Sequence, residues 1–161
     1  MAKKNYVLSL YNKLSKLPYG NKIFTRFAAN KAPYFKTISP LITKLVPGEC
    51  HCFIKKKRKV ENHIGTVHVI AIANGLEMAM GFMAEGSIPK HLRWIPKGMD
   101  LKYTAKAGSD IRCEAILENN DWREGDVPVE VKAYDENNVV VVEGVINLWV
   151  SAKPNKEKKA A

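Results

Sequence analysis

The sequence predicts an α+β domain in which a strongly curved antiparallel sheet wraps one buried helix. Three observations lead there. Residues 67–84 are apolar around almost the whole circumference of a helix, and a helix without a polar face must be buried on nearly all sides. Four strand-like segments joined by short turns follow it, and strand-like material precedes it from about residue 41. One early helix followed by a run of antiparallel strands is an α+β order. At 161 residues the chain fits one domain with a self-sufficient core.

Residues 4–17 carry Val7, Leu8, Leu10, Tyr11, Leu14 and Leu17 at helical spacing with lysines between. Pro18-Tyr19-Gly20-Asn21 breaks that helix. A second, short helix is expected over residues 22–30 with Ile23, Phe24 and Phe27 inward. Pro33 and Pro40 then punctuate an extended region. These helices, an extension over residues 1–33, read as a packing layer or lid. The main domain is expected over residues 34–152. Within it, residues 49–58 alternate roughly, and their basic end marks an exposed strand terminus. Residues 61–66 read as a loop, with Thr66 as the cap of the long helix. At 1.5 Å per residue that helix spans roughly 27 Å. Residues 92–107 place Met99, Leu101 and Tyr103 on one face and Asp100 and Lys102 on the other. Residues 110–118 set Ile111, Cys113, Ala115 and Leu117 against Arg112 and Glu114. Residues 129–134 and 139–150 flank the hairpin turn Asp135-Glu136-Asn137-Asn138. The last strand has an unbroken apolar face of Val140, Val142, Gly144, Ile146, Leu148 and Val150. Residues 153–161 read as a basic disordered tail.

Hydrophobic residues make up 46% and charged residues 26% of the chain, which excludes wholesale disorder. The net charge of +10 favours anionic partners without choosing among them. Part of it is Lys153, Lys156, Lys158 and Lys159 in the tail. Another part is Lys55-Lys56-Lys57-Arg58, read as a solvated edge. Charge is the only support for a nucleic-acid partner, and no binding motif accompanies it. Three cysteines, an odd number, do not make a complete disulfide framework. Cys50-His51-Cys52 resembles a metal cluster at a glance. In a strand, however, His51 points away from the two cysteines, and no second ligand pair of zinc spacing exists, so no metal is expected. The N-terminus lacks an apolar run of secretory length. The 18 apolar-rich residues 67–84 include His68, Asn74, Glu77 and two glycines, which fits burial in protein better than a membrane span. A cytoplasmic setting is expected.

Glu77 stands out on physical grounds. It lies in mid-helix beside Leu76, Met78, Ala79 and Met80, where an ionised carboxylate is costly to bury and where desolvation makes it a better base. Asn74, one turn earlier, shares its face and is within hydrogen-bonding reach. The helix start offers a second element. Its first N–H groups lack internal partners and carry partial positive charge suited to an oxyanion. Those groups belong to residues 67–69, directly after the loop. Glu77 is roughly 13 Å further along the same helix. One chain therefore does not easily assemble both parts, whereas a dimer with antiparallel central helices does.

The run Asn62-His63-Ile64-Gly65-Thr66-Val67-His68, with Glu77 nine residues after His68 and fifteen after Asn62, resembles the N-x-x-G-x-x-H…D/E signature of hotdog-fold acyl-CoA thioesterases. The phenylacetic-acid-pathway type and the human mitochondrial thioesterase-superfamily proteins are the similar groups. Met99-Asp100-Leu101-Lys102-Tyr103 resembles the family's next core strand and Ala107-Gly108-Ser109-Asp110 its turn, so the resemblance covers about residues 40–150. It implies a hotdog fold, homodimers or dimers of dimers, and acyl-CoA or other acyl-thioester substrates without a cofactor. Asn62 would orient the water or the thioester. Backbone N–H groups near His68 and Val69, after the turn at Gly65, would polarise the carbonyl. Glu77 of the partner subunit would be general base or nucleophile. His63, Thr66 and Asn74 would line the substrate. Lys55, Lys56, Arg58, Arg93 and Lys106 are candidates for the three phosphates of coenzyme A.

The chain departs from the family in three ways. Val69-Ile70 stands where Gly-Gly is usual after the His, which restricts close ligand approach. Glu77 replaces the commoner Asp. The N-terminal helices are an extension and resemble a less characterised hotdog branch. Two other readings remain open. One is a non-catalytic acyl-CoA- or lipid-binding hotdog protein. The other is a hotdog acyl dehydratase using His63 and Glu77, although residues 64–76 lack the Pro- and Gly-rich stretch of those enzymes. His51 and His91 carry no functional signal.

Overall fold

The computed structural model describes residues 5–154. Two N-terminal helices, α1 (Tyr6–Leu14) and α2 (Gly20–Lys31), lead through a short 3-10 turn, Pro33–Ile38, into β1 (Leu41–Val46) and β2 (Glu49–Ile54). A second 3-10 turn, Arg58–Val60, and the loop after it deliver the chain to α3 (Val69–Ser87). Four strands complete the chain: β3 (Leu92–Tyr103), β4 (Ile111–Ile116), β5 (Gly125–Tyr134) and β6 (Val140–Ala152). All six strands form one antiparallel sheet in the order β1-β2-β4-β5-β6-β3. The sheet curls around α3, which packs chiefly on β2 and β4. This is the hotdog layout expected from the sequence. Part of the basic tail, residues 155–161, lies outside the described residues.

Burial of α3 is the main packing event. Ile72, Leu76, Met78, Met80 and Met83 are inaccessible or nearly so. Each such side chain contributes about 1.5–3 kcal/mol of transfer free energy. The alternating faces of β4, β5 and β6 meet them with Ile111, Cys113 and Ala115, then Val127, Val129, Val131 and Ala133, then Ile146, Leu148 and Val150. Gly75 sets the distance between helix and sheet. A Cβ there would lie 2.5 Å from Ile54 Cδ1 and 2.9 Å from Cys113 Sγ. The 135–138 hairpin closes as expected. Asp135 Oδ1 accepts from the N–H groups of Asn137 and Val139, and Asn138 takes the left-handed conformation.

Several expectations need correction. The long helix begins at Val69, two residues late, and His68 caps it: its Nδ1 accepts the Ile70 N–H at 3.1 Å. Thr66 is not the cap. Its hydroxyl accepts from Asn62 Nδ2 at 2.8 Å instead. The helix is also not enclosed all round. Ile70 is exposed, and Ala73, Glu77 and Gly81 are half-buried. At helical spacing they form a stripe facing away from the sheet. In α2, Phe24 points inward as expected, but Ile23 and Phe27 are exposed. The helix needs only a narrow inner face, and Phe24, Thr25, Ala28 and Ala29 supply it. Thr25 Oγ1 donates to the Asn21 carbonyl and accepts the Ile42 N–H at 2.9 Å, fastening α2 to edge strand β1. β3 ends at Tyr103, and its expected apolar face is largely uncovered: Met99 and Tyr103 are exposed. The strand lies at the sheet's other edge, where its early residue Trp94 reaches the helix but its later part does not lie against it.

Gly144, where β6 runs between β5 and β3, leaves no room for a side chain: a Cβ would stand 1.9 Å from the Asp100 carbonyl oxygen. Gly144→Ala must push the strands apart. It is expected to destabilise the fold by roughly 1–3 kcal/mol, read as a lower urea midpoint. An unchanged midpoint would contradict the close approach.

Candidate active site

Glu77 and the residues of the helix start fall in two separate hollows of one chain. The first lies between α3 and the N-terminal helices. It has a volume of about 450 Å³ and a predominantly apolar wall that includes Val7, Leu10, Phe24, Met80, Phe82 and Trp94. Glu77 stands in that wall, half-buried. Glu85 and Lys31 are the other charged residues lining it. Trp94 Nε1 donates to Glu85 Oε1 at 2.9 Å, so this carboxylate is occupied in holding β3 to α3. Phe24 packs edge-on against Tyr11 at 5.1 Å and Phe82 at 5.9 Å, which locks the two N-terminal helices onto α3. Size and lining fall within the range of ordinary ligand pockets.

The second hollow, about 310 Å³, surrounds the start of α3 and is lined by Asn62, His63, Thr66, His68, Val69 and Lys106, together with Tyr103. The loop below it is held by Asn62. Its Oδ1 accepts the N–H groups of Ile64 and Thr66, both at 3.1 Å, and its Nδ2 donates to Thr66 Oγ1. Gly65 turns the loop in a left-handed conformation, φ +75°, and donates its N–H to the Asn62 carbonyl. The helix start is more selective than expected. The His68 N–H donates to the Val60 carbonyl at 2.7 Å, and the Ile70 N–H goes to the His68 ring. His68 N–H is therefore not available to a ligand, and Val69 N–H is the open donor among the described residues.

Asn74 does not meet Glu77. Its Nδ2 donates to Thr37 Oγ1 at 3.1 Å, and its Oδ1 is buried without a partner. The cationic candidates do not converge. Lys106 reaches the helix-start hollow. Lys55 lies with Lys57 in a groove beside α2. Lys56 pairs with Glu61 at 3.4 Å. Arg58 is exposed in its 3-10 turn, and Arg93 bonds Ser151 on the outer sheet. Cys50 and Cys52 face the core, and His51 projects to the other face, 2.6 Å from Glu49 Oε1. Burial pushes the Cys52 thiol up to about 12 and those of Cys50 and Cys113 well above the ordinary thiol range.

What sequence reasoning missed is the Glu77 cavity itself. Its signal was present: Tyr6, Val7 and Leu10 on α1, and Phe24, Phe27, Ala28 and Lys31 on α2, recur at helical spacing and line one space.

Residues 20–150 match the family described as Domain of unknown function (DUF4442). The crystal structure of the genomics protein APC5556 is 36% identical, with a TM-score of 0.81, covering 92% of this chain and 99% of that one. A thioesterase family protein from Silicibacter pomeroyi superposes with a TM-score of 0.69 at 16% identity, covering 84% and 100%. The BH2602 protein from Bacillus halodurans, solved with CoA, superposes with a TM-score of 0.57 at 22% identity, covering 63% and 66%. The last two likenesses bear on the fold alone. No protein of curated function matches the chain.

Two outcomes follow from this geometry. The three thiols should resist iodoacetamide in the folded protein at pH 8 and react together once urea unfolds it; labelling of Cys50 or Cys52 in the native state would contradict their burial. Asn62→Ala removes three hydrogen bonds from the loop and should cost about 1–3 kcal/mol in urea unfolding.

Proposed function

We propose that this chain, which belongs to the DUF4442 family and folds as a hotdog domain, hydrolyses an acyl-CoA or related acyl thioester. The observation that carries the reading is a carboxylate, Glu77, set in the wall of an apolar cavity with no lysine or arginine among the described residues paired to it. The thioesterase-type architecture of the structural relatives supports it, as does the one solved with CoA.

In this reading the acyl chain lies along Val7, Leu10, Phe24 and Phe82. Glu77 acts on the thioester carbonyl either as general base, taking a proton from water as the water oxygen attacks, or as nucleophile. The C–S bond breaks, and a carboxylic acid and a free thiol leave. The Val69 N–H, at the positive end of α3, stabilises the oxyanion. Lys106 and His63 beside it suit the phosphates of the leaving group. Asn62 shapes the loop and retains one amide proton for the thioester or the water.

Because Glu77 and Val69 open into different hollows, a complete site needs a second copy. β3 supports that arrangement. Its early residues Trp94 and Pro96 line the Glu77 cavity, and its last residue, Tyr103, lines the helix-start hollow. Antiparallel pairing of two β3 edges about a two-fold axis brings the early end of one strand to the late end of the other. The edge is open and carries exposed Ile95, Met99 and Tyr103 among its charged residues, an apolar surface that a second copy of the strand would cover. A non-catalytic acyl-CoA-binding protein is the second reading. It is favoured by the engagement of Asn62 Oδ1 in its own loop and by Val69-Ile70 at the helix start.

Free-thiol release from a panel of acyl-CoAs tests hydrolysis. Glu77→Gln should lower turnover by about 10²–10⁴-fold while acyl-CoA still binds; full turnover in that variant removes Glu77 from the mechanism. Saturable binding without turnover at any chain length supports the second reading instead. Ile95→Lys combined with Met99→Lys should yield a monomer by sedimentation and lose hydrolysis with it.

A further inference from the structure

The basic excess of this protein is not spread along the chain. The first 48 residues contain nine lysines and arginines and no Asp or Glu, the first acid being Glu49. The rest of the chain is close to neutral. The cap formed by α1, α2 and the Pro33–Ile38 turn holds six of these cations and no acid. Lys13, Lys16, Lys22, Arg26, Lys31 and Lys36 are all exposed on it.

The same cap exposes several large apolar side chains. In α2 the exposed positions are Lys22, Ile23, Arg26, Phe27, Asn30 and Lys31, which make one continuous stripe at helical spacing. Ile23 is 52% and Phe27 44% exposed, and Tyr19, at the turn into the helix, is 75% exposed. Cations flank them closely. Lys22 Nζ lies 5.3 Å from the Tyr19 ring, and Lys31 Nζ 5.6 Å from the Phe27 ring. On the other side of α2, Lys22, Arg26, Lys36, Lys55 and Lys57 line a groove of about 630 Å³ without a single acid. Finally, the stripe forms the rim of the Glu77 cavity, which Phe27 and Lys31 share with Tyr6 of α1.

We infer that the cap docks on the surface of an anionic phospholipid bilayer, with Tyr19, Ile23 and Phe27 entering the interface and the flanking cations meeting the headgroup phosphates. A helix with lysine and arginine beside apolar and aromatic side chains is the pattern of interfacial binding. At 9 and 12 residues, α1 and α2 are far too short to span a bilayer, so the contact is peripheral. Leu17 and Ile23 distinguish the surface from a nucleic-acid platform, where aliphatic side chains have no base to stack on. Docking this way turns the mouth of the apolar cavity towards the lipid, the place where long acyl chains are concentrated. The inference stands whether or not Glu77 hydrolyses a thioester.

Sedimentation of the full chain with vesicles tests it, comparing phosphatidylcholine alone with an equal mixture of phosphatidylcholine and phosphatidylglycerol. The protein should pellet with the mixed vesicles at low salt, be released by high salt, and stay in solution with the neutral ones. Lys22→Gln with Arg26→Gln should weaken binding at least about twentyfold, and Ile23→Ser about tenfold. Near-ultraviolet circular dichroism checks that these surface variants are folded. Brominated phosphatidylglycerol should quench an Ile23→Trp variant more than the parent chain, which places the stripe in the bilayer. Equal pelleting with both vesicles, no pelleting, or binding unmoved by the charge substitutions overturns the inference. So does displacement of the protein from vesicles by a duplex oligonucleotide at equal affinity, or a dimer in solution that Ile23→Ser dissociates.

Discussion

The contact between α3 and the concave face of the sheet is the one on which the rest of the molecule depends. A helix so rich in Ala, Ile and Met has no soluble existence of its own. The strands have no core without it, because their inward residues from Ile42 to Val150 meet chiefly on this helix. Gly75 lets helix and sheet approach until Ile54 and Cys113 touch the helix backbone. The three cysteines are consequences of this contact. They are small, apolar in behaviour and sealed from solvent.

A sheet can wrap a helix on only part of its circumference, and the remaining stripe of α3 explains the functional layout. Ile70, Ala73, Glu77 and Gly81 face away from the strands, so a carboxylate is tolerated there without a buried counter-charge. The N-terminal helices cover that stripe incompletely. Phe24, Tyr11 and Phe82 fill one side in edge-on contact, while Ala28 and Gly81 are too small to fill the other. The cavity is the gap between two layers that meet well at one end. A carboxylate at its wall is the product of where the sheet stops.

The two edges of the sheet are treated differently. β1 is covered by α2 through the Thr25 hydroxyl, so its free edge is not exposed as a template. β3 has no such cover, and its Ile95, Met99 and Tyr103 remain in the open. Charge is divided in the same uneven way. Ion pairs such as Lys44 with Glu49, Lys97 with Asp126 and Arg112 with Glu114 neutralise the strands, and the Glu49 carboxyl is held below its usual range by Lys44. The cap has no acid with which to do the same.

The sequence by itself determined the fold class and the place of Glu77. Apolar periodicity is a local property, and a helix without a polar face admits few neighbours other than a curved sheet. The turn at 135–138 and the inward faces of β4 and β6 were legible for the same reason. The N-x-x-G-x-x-H run located the loop and the helix start within two residues. Only the tertiary structure decided which donors at that start stay open. His68 N–H and Ile70 N–H are both taken, one by a carbonyl eight residues back and one by a ring whose rotamer no spacing predicts. It decided that Asn74 turns to Thr37 rather than to Glu77, because the Pro33–Ile38 turn packs over that side of the helix. It also decided that Ile23, Phe27, Met99 and Tyr103 face outwards. Periodicity marks these residues as belonging to an apolar face, but whether a second layer covers that face depends on where the rest of the chain runs.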